Sequence, residues 1–131
     1  MKPFYLSLLV ILYLLPSATP VDPIDKVAEL IGKGNIHEIA KLFAPDVELT
    51  LMDDVNTYSK AQTELILEKF FAQNKPISYK MLHKVNSSAN YRFGVVIITT
   101  DKGTYRAAFT LKGTDANTQL IELRIETEKV R

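Results

Sequence analysis

The 131-residue chain has two histidines, His37 and His83, and no cysteine. Without cysteine there is no disulfide, no thiolate zinc site, no thiol nucleophile and no lipid-anchoring N-terminal cysteine. His83 lies in the alternation Tyr79, Met81, His83, Val85, the more apolar side of a strand. A buried histidine beside a carboxylate acts as a general base, and that is the sharper reading of His83. The favoured reading is a structural histidine. His37 falls at the start of a helix and is expected to be solvated. No histidine–carboxylate spacing matches a metal motif, so no metal site and no cofactor are expected. Asp53, Asp54 and Asn56 lack the spacing of a calcium-binding EF-hand and read as a solvated turn.

Arg106, Glu122 and Arg124 occupy even positions on two consecutive predicted strands, so a hairpin would place them on one face. The plain reading is a surface charge ladder, worth roughly 0.2–1 kcal/mol per pair. The sharper one is an arginine pair that recognises an anion, with Glu122 holding the guanidinium groups. Tyr105 falls on the opposite face with Ala107, Phe109 and Leu111 and is expected to line the core. His83, Tyr105, Arg106, Glu122 and Arg124 are therefore the candidate ligand-binding residues. No catalytic residue is assigned.

The elements that would position these groups follow from period and punctuation. Asp22-Pro23 opens a helix that carries Ile24, Val27, Ala28 and Ile31 and stops at Gly32 and Gly34. Asn35 starts a second helix, with Glu38 as its capping-box partner, and Pro45 ends it. Val47 to Leu51 alternates as a half-buried strand. Ser59 and Gln62 form a capping box for a third helix running to about Gln73. Strands then follow at Ser78–Val85, Tyr91–Thr100, Thr104–Lys112 and Thr118–Glu128. There is no internal repeat.

Ahead of this domain, Lys2 and the uncharged run Phe4–Leu15, closed by Pro16, Ser17, Ala18 and Thr19, read as a secretory signal. The run is too short to span a membrane as a helix. The expected organisation is a signal peptide over residues 1–19, cleaved after Ala18 or Thr19, and a single domain over 20–131. The expected location is periplasmic or secreted. Without Lys2 the remaining chain has 15 basic and 15 acidic residues. That balance speaks against a nucleic-acid partner.

The order helix, helix, strand, helix, strand meander resembles the nuclear transport factor 2-like fold, and Leu42-Phe43-Ala44-Pro45-Asp46-Val47-Glu48 resembles its passage from second helix to first strand. More narrowly, Tyr58-Ser59-Lys60-Ala61-Gln62, Gly103-Thr104-Tyr105-Arg106 and Glu122-Leu123-Arg124-Ile125-Glu126 are similar to stretches of an uncharacterised family of exported bacterial proteins with that fold, a domain of unknown function. The resemblance implies an α+β cone, with three N-terminal helices packed on a curved, mainly antiparallel sheet. It also implies an interior cavity. Enzymes of this fold often carry a carboxylate where this chain has Leu49, a departure that argues against isomerase-type chemistry.

Two functions follow as expectations. The favoured one is non-enzymatic binding of a small ligand or protein partner through the cone or sheet face. The alternative is a cavity enzyme using His83 with Glu122 or Tyr105 for isomerase- or hydrolase-like chemistry. The strand Tyr91–Thr100 is apolar on both faces, with Phe93, Val95 and Ile97 on one and Val96 and Ile98 on the other. Helices can cover only one face, so a homodimer through the sheet is expected, weakened by Ile98→Lys.

Overall fold

A computed structural model describes residues 22–88 and 90–129. The predicted signal peptide lies outside the described residues. Helix α1 (Pro23–Gly32) opens on Asp22, whose Oδ1 accepts from the Ile24 amide at 2.8 Å. Its apolar stripe of Ile24, Val27, Ala28 and Ile31 is fully buried. A Cβ on Gly32 would overlap the Tyr79 ring, so the helix end needs glycine to lie this close to the sheet. Helix α2 (Ile36–Ile39) is a single turn, continued by a 3-10 turn at Ala40–Leu42. The expected capping box does not form there. Asn35 makes no side-chain cap, and Glu38 pairs with Lys41 at 3.0 Å instead. The residue before Pro45 is pushed to extended backbone, so the chain leaves the helix early and enters β1 (Phe43–Leu51).

Strand β2 (Asp54–Ser59) stands where a polar turn was expected. The reversal is compressed into Met52-Asp53, with Met52 in the left-handed region at φ 58°. Residues 54–57 are exposed because β2 is an edge strand, and edge strands carry polar sequence that hides their periodicity. Helix α3 (Lys60–Gln73) follows with both halves of the Ser59–Gln62 capping box in place. The helices are therefore not all N-terminal, since α3 comes after β1 and β2. Strands β3 (Pro76–Ser88), β4 (Tyr91–Thr100), β5 (Thr104–Lys112) and β6 (Gln119–Thr127) complete a curved six-stranded sheet. Its order is β2-β1-β6-β5-β4-β3, and all pairs are antiparallel except β1 with β6.

Helices α1 and α3 cover one face: α1 lies against β3 and β4, and α3 against β1 and β2. The core between them and the sheet holds Phe43, Leu49, Leu67, Ile98, Phe109 and Leu123, all at most 2% exposed. Gly94 gives way to this packing, since a Cβ there would overlap the Phe109 ring. Ile98 and Val96 belong to the core at 0% exposure. Ile98 is therefore not at the free sheet face, and a lysine there would strike the fold and not an interface. The residues left on the open face are Phe93, Val95 and Ile97. No helix among the described residues is long and apolar enough to cross a membrane.

Candidate functional site

The covered side, where the resemblance implied a cavity, is occupied by side chains. Leu49, in place of the enzymatic carboxylate, is 1% exposed among Phe43, Leu67 and Phe109 in one continuous cluster. Tyr105 is on this side and half-buried. Its hydroxyl donates to Asn74 Oδ1 at 2.9 Å, and its ring meets Phe70 edge-on at 5.1 Å between centroids. It ties β5 to the end of α3, a structural arrangement with the hydroxyl already committed.

His83 is on the other side. A β-bulge between Met81 and His83 inserts one residue into β3, which reverses the facing of everything after it. Tyr79 and Met81 pair with Ile98 and Val96 of the covered face, whereas His83 and Val85 pair with Val95 and Phe93 of the open face. His83 is consequently exposed, and the simple alternation that grouped it with Tyr79 and Met81 does not hold. Glu122 is on the open face too but three strands away on β6, about 14 Å at ordinary strand spacing. Tyr105 is on the opposite face. The structure brings His83 together with neither.

Arg106, Glu122 and Arg124 do share the open face, with Arg106 opposite Glu126, Ala108 opposite Arg124 and Thr110 opposite Glu122. Their bonds differ from the expected clamp. Arg106 Nε donates to Glu128 Oε2 at 2.9 Å, and Arg124 Nε lies 3.7 Å from Glu126 Oε1. Glu122 accepts from the Thr110 hydroxyl at 3.1 Å. The hydrogen bond between Arg106 and Glu128 holds the Glu128 carboxyl below its ordinary range and raises the guanidinium. Each arginine thus has its own carboxylate within the ladder. Arg106 and Glu128 also border a shallow surface groove of about 510 Å³ with Lys129.

The open face divides in two. Tyr91, Phe93, Val95 and Ile97 of β4 form an apolar stripe, extended by Val85 on β3. Phe93 is 37% and Val85 49% exposed. Beside the stripe lie the charged rows of β5 and β6 on one flank and Lys80 and His83 of β3 on the other.

One grouping has no trace in linear spacing. His37 Nδ1 lies 3.4 Å from Glu64 Oε2, across 27 residues. Glu68, one turn further along α3, brings a carboxylate oxygen to within 4.8 Å of both. His37 and Glu68 also line a groove of about 400 Å³ with Lys33, Phe71 and Pro76. The one signal available in sequence was the Glu64–Glu68 spacing on a helix.

An α+β cone with its helices on one sheet face is the nuclear transport factor 2-like architecture. The chain belongs to the DUF4783 family, a domain of unknown function, whose profile matches residues 24–126. A DUF4783 protein from Bacteroides uniformis superposes with a TM-score of 0.77 at 19% identity, covering 83% of this chain and 100% of that one. A chain described as "Rd1NTF2_04 with long sheet" gives 0.62 at 16% identity, covering 77% and 94%. A putative calcium/calmodulin dependent protein kinase II association domain from Xanthomonas campestris gives 0.58 at 20% identity, covering 86% and 93%. At these identities the likeness is one of fold. No curated protein matches the chain.

Proposed function

We propose that this is an exported, non-enzymatic binding domain that works through the open face of its sheet and pairs there with a second copy of itself. The apolar stripe Phe93, Val95 and Ile97 on an otherwise polar face carries the reading. A contiguous apolar patch rimmed by charge marks an interaction surface. The stripe is self-complementary: a two-fold axis along β4 lays Phe93, Val95 and Ile97 of one copy over the same strand of the other, so a second copy covers the apolar residues that the helices leave open. The filled covered side favours this face over a cone cavity as the binding surface. It also disfavours the enzymatic alternative, because His83 has neither Glu122 nor Tyr105 as a partner. The name of the Xanthomonas campestris neighbour, an association domain, is consistent with assembly through this fold.

Export rests on Lys2, the apolar run Phe4–Leu15 and the small residues at 17–19. The mature protein should begin near Val21. Intact-mass measurement of the cellular form checks this, and a retained Met1 would contradict it.

Assembly is tested by sedimentation equilibrium at micromolar concentration. The wild type is expected to be dimeric. Ile97→Lys should raise the dissociation constant by about tenfold or more, ~1.4 kcal/mol, while keeping its far-ultraviolet circular dichroism. A wild type monomeric throughout that range, or a folded Ile97→Lys variant that dimerises fully, overturns the reading.

A further inference from the structure

We propose that His37, Glu64 and Glu68 form a binding site for a zinc-class divalent cation, independent of the sheet face. Four ligands about 2.0–2.2 Å from a tetrahedral zinc ion lie about 3.3–3.6 Å from one another. The 3.4 Å separation of His37 Nδ1 and Glu64 Oε2 is such an edge. Glu68 is exposed and unbranched, so a rotation of its side chain closes the remaining gap of up to 4.8 Å. One imidazole nitrogen with two carboxylates is a donor set suited to zinc, and less so to calcium or magnesium, which take oxygen ligands.

Charge makes the same point from a different side. Two glutamates one helical turn apart repel each other. Among the described residues no lysine or arginine forms an ion pair with either. The surrounding lysines are engaged elsewhere: Lys33 with Glu29 and Lys41 with Glu38. A cation between the carboxylates and His37 removes the repulsion and links α2 to α3. Three protein ligands leave the fourth zinc position to water or to a ligand entering from the groove that His37 and Glu68 line.

The test is zinc titration of the untagged protein in competition with a chromophoric chelator. One zinc per chain is expected. His37→Ala and Glu68→Gln should each weaken binding by about tenfold or more. His83→Ala, which removes the chain's other histidine, should leave binding unchanged. His37 and Glu68 are exposed, so these variants keep their circular dichroism and report on the site alone. Cobalt substitution gives a second readout: visible d–d bands present in the wild type should disappear in His37→Ala. No zinc bound at micromolar concentration overturns the proposal. So does binding undiminished in His37→Ala or Glu68→Gln, or equally diminished in His83→Ala.

Discussion

Strand β4 sets two environments side by side. Val96 and Ile98 are fully buried against the helices, while Val95 and Ile97, each one residue away, are only half-buried on the open face. The chemistry of the four side chains is nearly identical, so composition cannot be what separates them. Helices α1 and α3 separate them, by covering one side. The covered face then closes into a core that spares Gly94 no room for a Cβ. The open face keeps its apolar stripe between charged flanks. The first is a folding surface and the second is available for association.

The sharpest way to break this contrast is to put the same charge on each side. Ile98→Lys buries an unpaired ammonium at a position of 0% exposure. The cost should exceed about 4 kcal/mol, a large part of the stability of an ordinary domain, and the variant should lose its cooperative thermal transition. Ile97→Lys places the ammonium in solvent in the monomer and should leave that transition close to wild type. Equal loss of structure in both variants would mean that β4 is packed on both sides within one chain.

The same contrast explains what was legible in sequence. Alternation in β4 revealed that both faces are apolar, but alternation is symmetric and does not say which face the helices take. Two local signals mark boundaries, Asp22-Pro23 and the Ser59–Gln62 box, because each acts on its own neighbouring backbone, whereas the Asn35–Glu38 box is lost to the Glu38–Lys41 pair. Nonlocal features were out of reach. The bulge at Leu82 that turns His83 outward is a matter of pairing register with β4. Strand β2 is held mainly by pairing with β1: Val55 is exposed, and Tyr58 at its far end is the apolar residue that packs against the core. His37 meets Glu64 and Glu68 only because α2 and α3 pack together.

Weakening the cover instead of the sheet sharpens the comparison at smaller cost. The Ser59 hydroxyl accepts from the Gln62 amide at 3.2 Å, and the Ser59 carbonyl accepts from the fully buried Thr63 hydroxyl at 2.8 Å. Ser59→Ala removes the first of these and should cost about 1 kcal/mol. Asn35→Ala, at a helix start where no side-chain cap forms, should stay within about 0.5 kcal/mol of wild type. Urea denaturation midpoints compare the two. Equal losses would mean that α3 is not held by its cap.

The smallest effect concerns the clamp that fastens α1 to β3. Lys84 Nζ lies 2.8 Å from both Asp22 and Asp25, joining the covering helix to the strand beneath it. The hydrogen bond from Lys84 lowers the Asp22 carboxyl below its ordinary value of 3.8, and the aspartates raise Lys84 above 10.5. The sign follows for each group. Asp22 binds protons more weakly folded than unfolded, so its contribution is complete above the unfolded value and is lost as pH falls through the folded one. Lys84 binds its proton more tightly folded, so its contribution is complete below the unfolded value and is lost as pH rises through the folded one. Lys84→Met keeps the aliphatic stem and removes the charge. Its melting temperature should lie slightly below wild type on a plateau between about pH 5 and pH 10, and the two curves should converge as pH falls through the lowered Asp22 value. Raising the ionic strength at pH 7 should narrow the gap, because the three groups are partly solvated. A gap that is constant from pH 2 to pH 7 would assign the effect to packing of the side chain instead of to the ion pairs.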